Sequence, residues 1–383
     1  MNAPLKVTLF VRPNPVLLGN GVLGNGAFSG APRGGMKSNM YQFVALREEL
    51  RRHGLELATQ HIHPFQDLVL VLDQVDYFKD CARPIGQALC LMLSEPPIYY
   101  PSNWNPVRYT VSDRVLTYDV RMVDNMRYFR YHYAIDLEAY PPFQPVSEAE
   151  FALHKLCIIA AASFGVIALP AGSPSLLCER FSTLKRFAEH YVNAFDSFSR
   201  GVHPDTYTSF RGAGLLKRCP SGVVLRPIAR RRQRIFERVY RSSIPALEKI
   251  EYVRRYKFAI AHENTKGPNG YLTEKLFDFL TAVNVPVYLG DRLSADIVPP
   301  NCCIDRRQFA THEESYRYLV EMPYARYAKY VAVMQEFIRR APKGILSTAY
   351  SPRLLAAALL GALPAAAAPA AFSSPTTTLS HHG

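Results

Sequence analysis

Residues 256–290 place two short apolar segments on either side of an amphipathic one, and this order strongly restricts the possible fold. The first apolar segment reads YKFAIAHEN, the second reads VPVYLG, and both have the length of a strand. Between them, Leu276, Leu280 and Val283 recur at helical spacing, and Thr273 precedes them as a residue type favoured at helix N-termini. The segment therefore predicts a strand, a polar loop, a helix and a second strand.

The N-terminal part of the chain repeats this alternation. Residues 5–11, 55–58 and 68–72 are apolar and strand-sized, whereas residues 39–53 carry a helical pattern that ends at Gly54. Alternating strands and helices are typical of a parallel, doubly wound sheet with helices on its faces.

The chain length of 383 residues exceeds that of a typical single core, so we predict two domains. We place the first at residues 1–150 and the second at residues 151–345. Residues 346–383 are rich in alanine and proline and are predicted to be a disordered tail.

Charge and composition limit the kind of partner without identifying it. Hydrophobic residues make up 48% of the chain and charged residues 20%, which is typical of a globular protein. The 45 Lys and Arg residues exceed the 32 Asp and Glu residues, giving a formal net charge of +13. This excess favours an anionic partner such as a nucleoside diphosphate, an acidic glycan or lipid surface, or a nucleic acid.

Targeting signals and cysteines favour a location in the cytoplasm or at the periphery of a membrane. The N-terminal segment lacks the pattern of a signal peptide, and the seven cysteines follow no disulfide or zinc spacing. Residues 354–372 carry no charge, but alanine dominates them and Gly361, Pro364 and Pro369 interrupt them. They are therefore too weakly apolar for a clear transmembrane helix, and contact of the tail with a membrane surface stays open.

The predicted helix start near Thr273 has the chemistry of a site for an anion and a sugar. Its unpaired N–H groups and partial positive charge favour a phosphate, and Lys275 adds a mobile cation. Glu274 can accept hydrogen bonds from ribose hydroxyls. From these residues alone, such a site and an ordinary connection between strand and helix are equally well supported.

Four other patterns have structural interpretations. Residues 19–24, GNGVLG, fit a dinucleotide-binding pattern but do not lead directly into a helix, so we interpret them as a loop. Residues 226–241 contain seven arginines and one glutamate, which indicates a solvated surface or an insertion. His61 and His63 lack a third ligand nearby in sequence. Residues 127–133 alternate basic and aromatic residues, as in a platform for single-stranded nucleic acid or a strand beside a sugar-binding cleft.

The block at 256–290 resembles the signature of the α1,3-fucosyltransferases (glycosyltransferase family 10). That signature runs YKF-x-x-x-FEN, then Y-[VIL]-TEK-[LI], then V-P-[VI]-x-x-G, and it covers 35 residues here with His262 in place of the phenylalanine. The resemblance implies two Rossmann-like α/β domains facing a cleft, the GT-B type of fold. It also implies a donor site formed by these residues: Glu263, Asn264, Tyr271, Glu274 and Lys275.

Two further similarities lie upstream of this block. Arg180, a helical segment and then Asp196-Ser-Phe with Gly201 follow the family's order, although the Ser-Asn pair of the family is missing from residues 160–170. The resemblance implies that Arg180 contacts the diphosphate. The segment LMLSEPP at 91–97, followed by DRVLTYD at 113–119, is similar to the family's strand that ends in Glu-Pro. The resemblance therefore implies that Glu95 is the catalytic base, whereas the residues alone favour a surface loop.

The resemblance implies an inverting enzyme that moves L-fucose from GDP-fucose to a hydroxyl of a glycan acceptor containing N-acetylglucosamine. No cofactor or metal is expected, since the chain contains no D-x-D triplet of the kind that holds a nucleotide's metal ion. Nucleic acid is not expected as a partner. Two alternatives stay open: a two-domain glycosyltransferase for another nucleotide sugar, and a non-catalytic protein of this fold that binds glycan or nucleic acid.

Overall fold

Two parallel sheets organise the chain in this computed structural model. The structure describes residues 4–11, 38–64, 67–73, 87–97, 101–132, 142–160, 175–198, 234, 238–239, 249–266, 270–291, 297–340 and 350–362. The chain divides into two units. Unit 1 comprises Met1–Ile135 with Lys343–Gly383, and unit 2 comprises Asp136–Pro342.

Unit 1 is built on a six-stranded parallel sheet with the order β2-β1-β3-β4-β5-β6. Its strands are β1 (Leu5–Phe10), β2 (Leu55–Thr59), β3 (Leu68–Leu72), β4 (Ala88–Leu93), β5 (Arg114–Thr117) and β6 (Tyr128–Arg130). The described helices are α1 (Ser38–Arg52) and α8 (Tyr350–Leu360). Most residues of β1, β3 and β4 are buried, as is typical of strands in a parallel sheet.

Unit 2 is built on a five-stranded parallel sheet with the order β11-β10-β9-β7-β8. Its strands are β7 (Lys155–Ala160), β8 (Phe195–Phe198), β9 (Tyr256–His262), β10 (Val285–Leu289) and β11 (Ile304–Asp305). Its described helices are α2 (Glu148–Leu153), α3 (Leu177–His190), α4 (Lys249–Val253), α5 (Glu274–Thr281), α6 (His312–Val320) and α7 (Tyr324–Arg340). When the strands of each unit are numbered in chain order, both sheets contain the spatial order 2-1-3-4-5. The second strand is therefore added on one side of the first strand and the third strand on the other side.

The C-terminal segment differs from the disordered tail that its composition predicts. Residues 350–360 form helix α8, which packs on α1 and β5 in unit 1 and buries Leu355, Leu359 and Leu360 in the core. Arg114 Nη2 donates a hydrogen bond to the carbonyl of Gly361, 2.9 Å away. Alanine and leucine are strong helix formers, and this contact with apolar surface outweighs the low complexity of the segment.

Two separate helices, α6 and α7, follow β11 in unit 2. Thr311 caps α6 by accepting a hydrogen bond from the Glu314 amide. This helix ends at Val320, and α7 begins after Pro323. Proline lacks the amide hydrogen and restricts the preceding residue, so a continuous helix through this position is unfavourable.

Other predicted features have structural roles in this fold. Asp196 accepts hydrogen bonds from Lys155 Nζ at 2.7 Å and Tyr256 Oη at 2.6 Å, and so joins three neighbouring strands. His63 is buried with Nδ1 3.3 Å from the Val7 carbonyl, while His61 is exposed.

Within the described ranges, no helix combines the length and the apolar character that a bilayer crossing requires.

Candidate functional site

The predicted donor residues gather at the carboxyl end of β9 in unit 2. This strand lies beside β7, where the order of the sheet reverses, and ligands of parallel α/β sheets bind beyond the strand ends at such a point. Glu263 and Asn264 directly follow β9, and Thr273 begins helix α5, which leads on to β10. The short connections therefore bring the two halves of the sequence motif together.

Glu263 connects the end of β9 to the start of α5. Its side chain is fully buried, and its carboxylate accepts hydrogen bonds from the Thr273 amide at 3.0 Å and the Thr273 hydroxyl at 2.8 Å. The Glu263 amide donates to the Leu289 carbonyl, which extends the pairing with β10. Burial raises the pKa of Glu263, while the nearby Lys275 ammonium acts in the opposite direction. Because the carboxylate is enclosed, it orients the helix start instead of facing solvent.

Lys275 lies over the first turn of α5. Its ammonium donates to the Thr273 hydroxyl at 3.1 Å and lies 3.7 Å from a carboxylate oxygen of Glu263 and from one of Glu274. The side chains of Lys275 and Glu274 are 20% and 30% exposed, so both reach the surface beside the helix start. One helix terminus thus presents amide groups, an ammonium and a carboxylate together.

Arg180 and Asn264 form a buried connection between α3 and the end of β9. The Arg180 guanidinium donates to the His262 carbonyl and to Asn264 Oδ1, the latter at 3.1 Å. The Asn264 carbonyl in turn accepts a hydrogen bond from the Leu176 amide at 3.0 Å, next to the start of α3. Arg180 is only 3% exposed, and its guanidinium is hydrogen-bonded to the end of β9.

Tyr271 follows a turn at Gly270 that is fixed by Asp291, a residue that the sequence did not lead us to predict. Asn264 Nδ2 lies 3.5 Å from its hydroxyl, and the ring is buried. The preceding Gly270 has a φ of 98°, and its amide donates to the carboxylate of Asp291. Asp291 follows Gly290 at the end of β10. The position of Asp291, an acidic residue just beyond the end of a predicted parallel strand, could have indicated that it contacts a neighbouring segment.

Gly290 is required by the close packing of these segments. A Cβ atom on this residue would lie 2.1 Å from Tyr288 Oη and 2.9 Å from Glu263 Cγ. The glycine of the sequence motif therefore allows Glu263 to approach the end of β10.

His262 occupies the position where the family signature has phenylalanine. Successive strand residues point to opposite faces, so its ring lies on the face away from Glu263. It is 1% exposed, and burial, assisted by the charges of Arg180 and Arg306, keeps its pKa well below the usual range. Neither ring nitrogen has a hydrogen-bond partner among the residues that the structure describes. His262 is therefore a neutral core residue here.

Glu95, the predicted base, belongs to unit 1 and follows β4 at the carboxyl edge of that sheet. It is partly exposed, its amide donates to Asp73 Oδ1 at 3.0 Å, and its carbonyl accepts from Trp104 Nε1 at 3.0 Å. Asp73 is a second residue that the sequence reasoning missed. Its position directly after the apolar run of β3 was the available signal.

Several predicted features lie outside the described residues. These are the glycine-rich loop at 19–24, the segment at 161–170 where the Ser-Asn pair is missing, and Gly201; of the arginine-rich segment at 226–241, only residues 234, 238 and 239 are described. In the basic and aromatic run, Arg127 donates to the backbone carbonyl of Ser112 at 2.8 Å, and Tyr131 and His132 are buried. These contacts give the described part of the run a structural role.

Comparison with known proteins confirms the resemblance seen in the sequence. Residues 234–343 match the C-terminal part of glycosyltransferase family 10 (fucosyltransferase). An alpha-(1,4)-fucosyltransferase of Arabidopsis thaliana is 42% identical over 64 residues, which are 17% of this chain and 16% of that protein. A 4-galactosyl-N-acetylglucosaminide 3-alpha-L-fucosyltransferase of Gorilla gorilla gorilla is 39% identical over 93 residues, which are 23% of this chain and 26% of that protein. The chain thus matches about a quarter or less of the length of these relatives.

Solved structures resemble the chain over most of its length. An alpha-glucosyltransferase in complex with UDP and a 13-mer DNA has a TM-score of 0.50 at 9% identity, covering 93% of this chain and 99% of that one. An alpha1,3-fucosyltransferase with GDP-fucose has a TM-score of 0.47 at 14% identity, covering 93% and 90%. The predicted fold class, with two Rossmann-like α/β units of the GT-B type, is confirmed by the two parallel sheets and the first of these likenesses.

Proposed function

We propose that this chain transfers L-fucose from GDP-fucose to a hydroxyl of a glycan, because residues 234–343 match the C-terminal part of glycosyltransferase family 10 (fucosyltransferase). The observation that carries the proposal is the start of α5, where Thr273 caps the helix and Lys275 lies above it at the carboxyl end of β9. This arrangement suits the diphosphate of a nucleotide sugar.

We assign charge neutralisation to the helix start and Lys275. In sugar transfer, negative charge grows on the diphosphate as the bond to the sugar breaks, so fixed positive groups at this point stabilise the transition state. Amide groups and the dipole of α5 are held in place by the cap before the donor arrives. Glu274, which is 30% exposed beside Lys275, is placed to accept hydrogen bonds from the ribose hydroxyls.

Glu263 and Arg180 hold the segments that form this site. Glu263 is fully buried against Thr273, and Arg180 is buried against the His262 carbonyl and Asn264. The family resemblance implies that Glu263 and Arg180 contact the donor directly. In our proposal these two residues instead hold the groups that contact it. Arg180 adds a fixed positive charge and holds Asn264, while Asn264 and Tyr271 line the inner part of the donor site.

In the proposed reaction Glu95 is the general base. It takes the proton from an acceptor hydroxyl as that oxygen attacks the anomeric carbon of the fucose. The bond from this carbon to the diphosphate breaks in the same step, its electron pair leaves with GDP, and the configuration inverts. The transition state resembles an oxocarbenium ion, as in other reactions at sugar carbons. A positioned base of this kind contributes about 10²–10⁴-fold to the rate.

Calorimetric titration of the purified chain with GDP-fucose, GDP-mannose and UDP-sugars tests the donor assignment. We expect selective binding of GDP-fucose, weakened about 10- to 100-fold in Lys275→Ala because a charge-assisted contact is lost. Lys185→Ala is the matched control, since this lysine on α3 is 42% exposed and its ammonium lies 3.8 Å from Glu189 of the same helix. Binding of no nucleotide, or a preference for a UDP-sugar, would overturn the assignment.

Fucose transfer to an array of glycans tests the base and the acceptor. N-acetylglucosamine-containing glycans are the first class to try, because the name of the gorilla relative includes that sugar. Glu95→Gln is expected to bind GDP-fucose normally and to lose about 10²–10⁴-fold in turnover. Full turnover by this variant would exclude Glu95 as the base.

A further inference from the structure

Asp73 has an unusual backbone conformation next to the candidate base. It directly follows β3, at the point where the order of the unit 1 sheet reverses, and its φ is 54°. Residues other than glycine rarely adopt this left-handed conformation, and such residues cluster at functional sites, where the surrounding structure imposes them. Its amide donates to the Met92 carbonyl at 3.0 Å, which ties the turn after β3 to the end of β4.

The Asp73 carboxylate collects hydrogen bonds from the segment that carries Glu95. Oδ1 accepts from the Ser94 amide at 2.7 Å, from the Glu95 amide at 3.0 Å and from Asn103 Nδ2 at 3.0 Å. Oδ2 accepts from the Ser94 hydroxyl. Four donors from two segments therefore converge on one carboxylate that is 5% exposed. The Ser94 and Glu95 amides reach Asp73 across a parallel strand edge, so they fix the direction in which the chain leaves β4.

The other side of Glu95 is held by an aromatic group. Trp104 Nε1 donates to the Glu95 carbonyl at 3.0 Å, and the Trp104 ring packs against Tyr118 with 5.3 Å between centroids. Trp104 and Asn103 belong to one short helical turn, Pro101–Trp104. The same turn therefore contacts both Asp73 and Glu95, and the Glu95 backbone is fixed at its amide and at its carbonyl while its side chain stays partly exposed.

We propose that Asp73 is the positioning residue for Glu95, which it holds at the sheet edge by fixing the backbone of residues 94–95. The inference rests on the proposed function, in which Glu95 is the base. Asp73 acts through Glu95 and is not itself the base, because all four donors turn its carboxylate inward. Burial raises the pKa of Asp73 to about 6 against the opposing effect of these hydrogen bonds, so it is mainly ionised and accepting at neutral pH.

Asp73→Asn and Asp73→Ala separate the positioning role from other roles. Asparagine keeps an oxygen for the two amides and Asn103, and its amide can donate to the Ser94 hydroxyl. We expect Asp73→Asn to keep kcat for fucose transfer within about threefold of the wild type. Asp73→Ala removes every acceptor, and we expect its kcat to fall at least about tenfold with the KM for GDP-fucose unchanged, since that site lies in unit 2.

Two further variants complete the experiment. Asp113→Ala is the matched control: Asp113 Oδ2 accepts a hydrogen bond from the Leu89 amide at 2.7 Å, at the opposite end of β4 from Glu95. It is expected to leave kcat unchanged. In the double variant with Glu95→Gln, Asp73→Ala is expected to cause no additional loss, because a positioning residue acts only through the group it positions.

The outcomes distinguish this inference from the proposed function. Absence of fucose transfer by the wild type would overturn both. Transfer by the wild type with an unchanged kcat in Asp73→Ala would overturn the positioning role alone. A loss in Asp73→Asn as large as that in Glu95→Gln would also overturn it, because Asp73 would then be needed for its charge. Rescue by asparagine, with the KM constant throughout, would support it.

Discussion

Replacement of Thr273 by valine tests whether its hydroxyl holds the start of α5 in place. This hydroxyl donates to the buried Glu263 carboxylate at 2.8 Å, accepts from Lys275 Nζ at 3.1 Å and caps the Lys275 amide. Valine has the same shape but makes none of these contacts. A hydrogen bond to a charged group contributes about 1.5–3 kcal/mol, and an N-cap about 1 kcal/mol. We therefore expect the helix start to lose about 2–4 kcal/mol.

Hydrogen exchange followed by mass spectrometry measures this loss locally. The single tryptophan, Trp104, lies in unit 1, so its fluorescence does not report on α5. If exchange occurs through local opening, a loss of about 2–4 kcal/mol makes the amides of residues 274–281 exchange about 30- to 1,000-fold faster. Peptides from β1 and β4 serve as an internal reference and are expected to be unchanged.

Thr273→Ser is the matched control because it keeps the hydroxyl. Serine is at least as good an N-cap as threonine, so we expect its exchange rates within about tenfold of the wild type. Equal rates in the valine and serine variants would refute the reasoning, since the hydroxyl would then not be what holds the helix start. Normal affinity for GDP-fucose in Thr273→Val would separately contradict the role of this helix start in donor binding.

Three other predictions concern stability. Gly290→Ala is expected to destabilise unit 2 by about 1–3 kcal/mol, since its Cβ would lie 2.9 Å from Glu263 Cγ; unchanged urea unfolding by circular dichroism would contradict this. Because burial raises the pKa of Asp73 from 3.8 to about 6, folded unit 1 retains this proton to higher pH than the unfolded chain does. The stabilisation that this proton provides is therefore present below pH 4 and lost as the pH rises to about 6. Between pH 4 and pH 7, the free energy of unfolding of wild-type unit 1 should fall by about 3 kcal/mol relative to that of Asp73→Asn. Burial raises the pKa of Tyr118, which also lies close enough to both Asp73 and Glu95 for their charges to raise it. A pH-independent difference in Trp104-monitored unfolding would refute the assignment. Leu359→Ala, at a fully buried position of α8, should cost about 2–5 kcal/mol by the same probe and Leu359→Met less than about 1.5 kcal/mol; equal effects would argue against a packed helix.

The alternation of strands and helices was readable from the sequence because it depends on local patterns. Helix α1 and strands β1, β3 and β9 lie within one or two residues of their predicted bounds, since each carries a clear apolar periodicity. Helix α8 was missed because its uncharged Ala-rich sequence resembles low complexity, and only the apolar surface of α1 and β5 makes it fold.

The candidate site was predictable where its residues are neighbours in sequence. Thr273, Glu274 and Lys275 follow from the rules for helix starts, and the motif predicted that they lie near Glu263. The contact of Asp73 with Glu95 joins residues 22 positions apart, and which strand ends are adjacent is known only once the sheet order is known. The burial of Arg180 likewise depends on how α3 packs, which no local pattern reports.

The return of α8 to unit 1 has a consequence for the order of events during synthesis. The first 135 residues leave the ribosome long before residue 350, and at ~5–20 residues per second the intervening stretch of about 215 residues takes roughly 10–40 s to translate. Throughout that interval the nascent N-terminal sheet lacks the helix that covers α1 and β5. The newborn chain therefore carries an uncovered apolar surface that a chaperone can recognise, and the core of unit 1 is completed only when α8 has been synthesised.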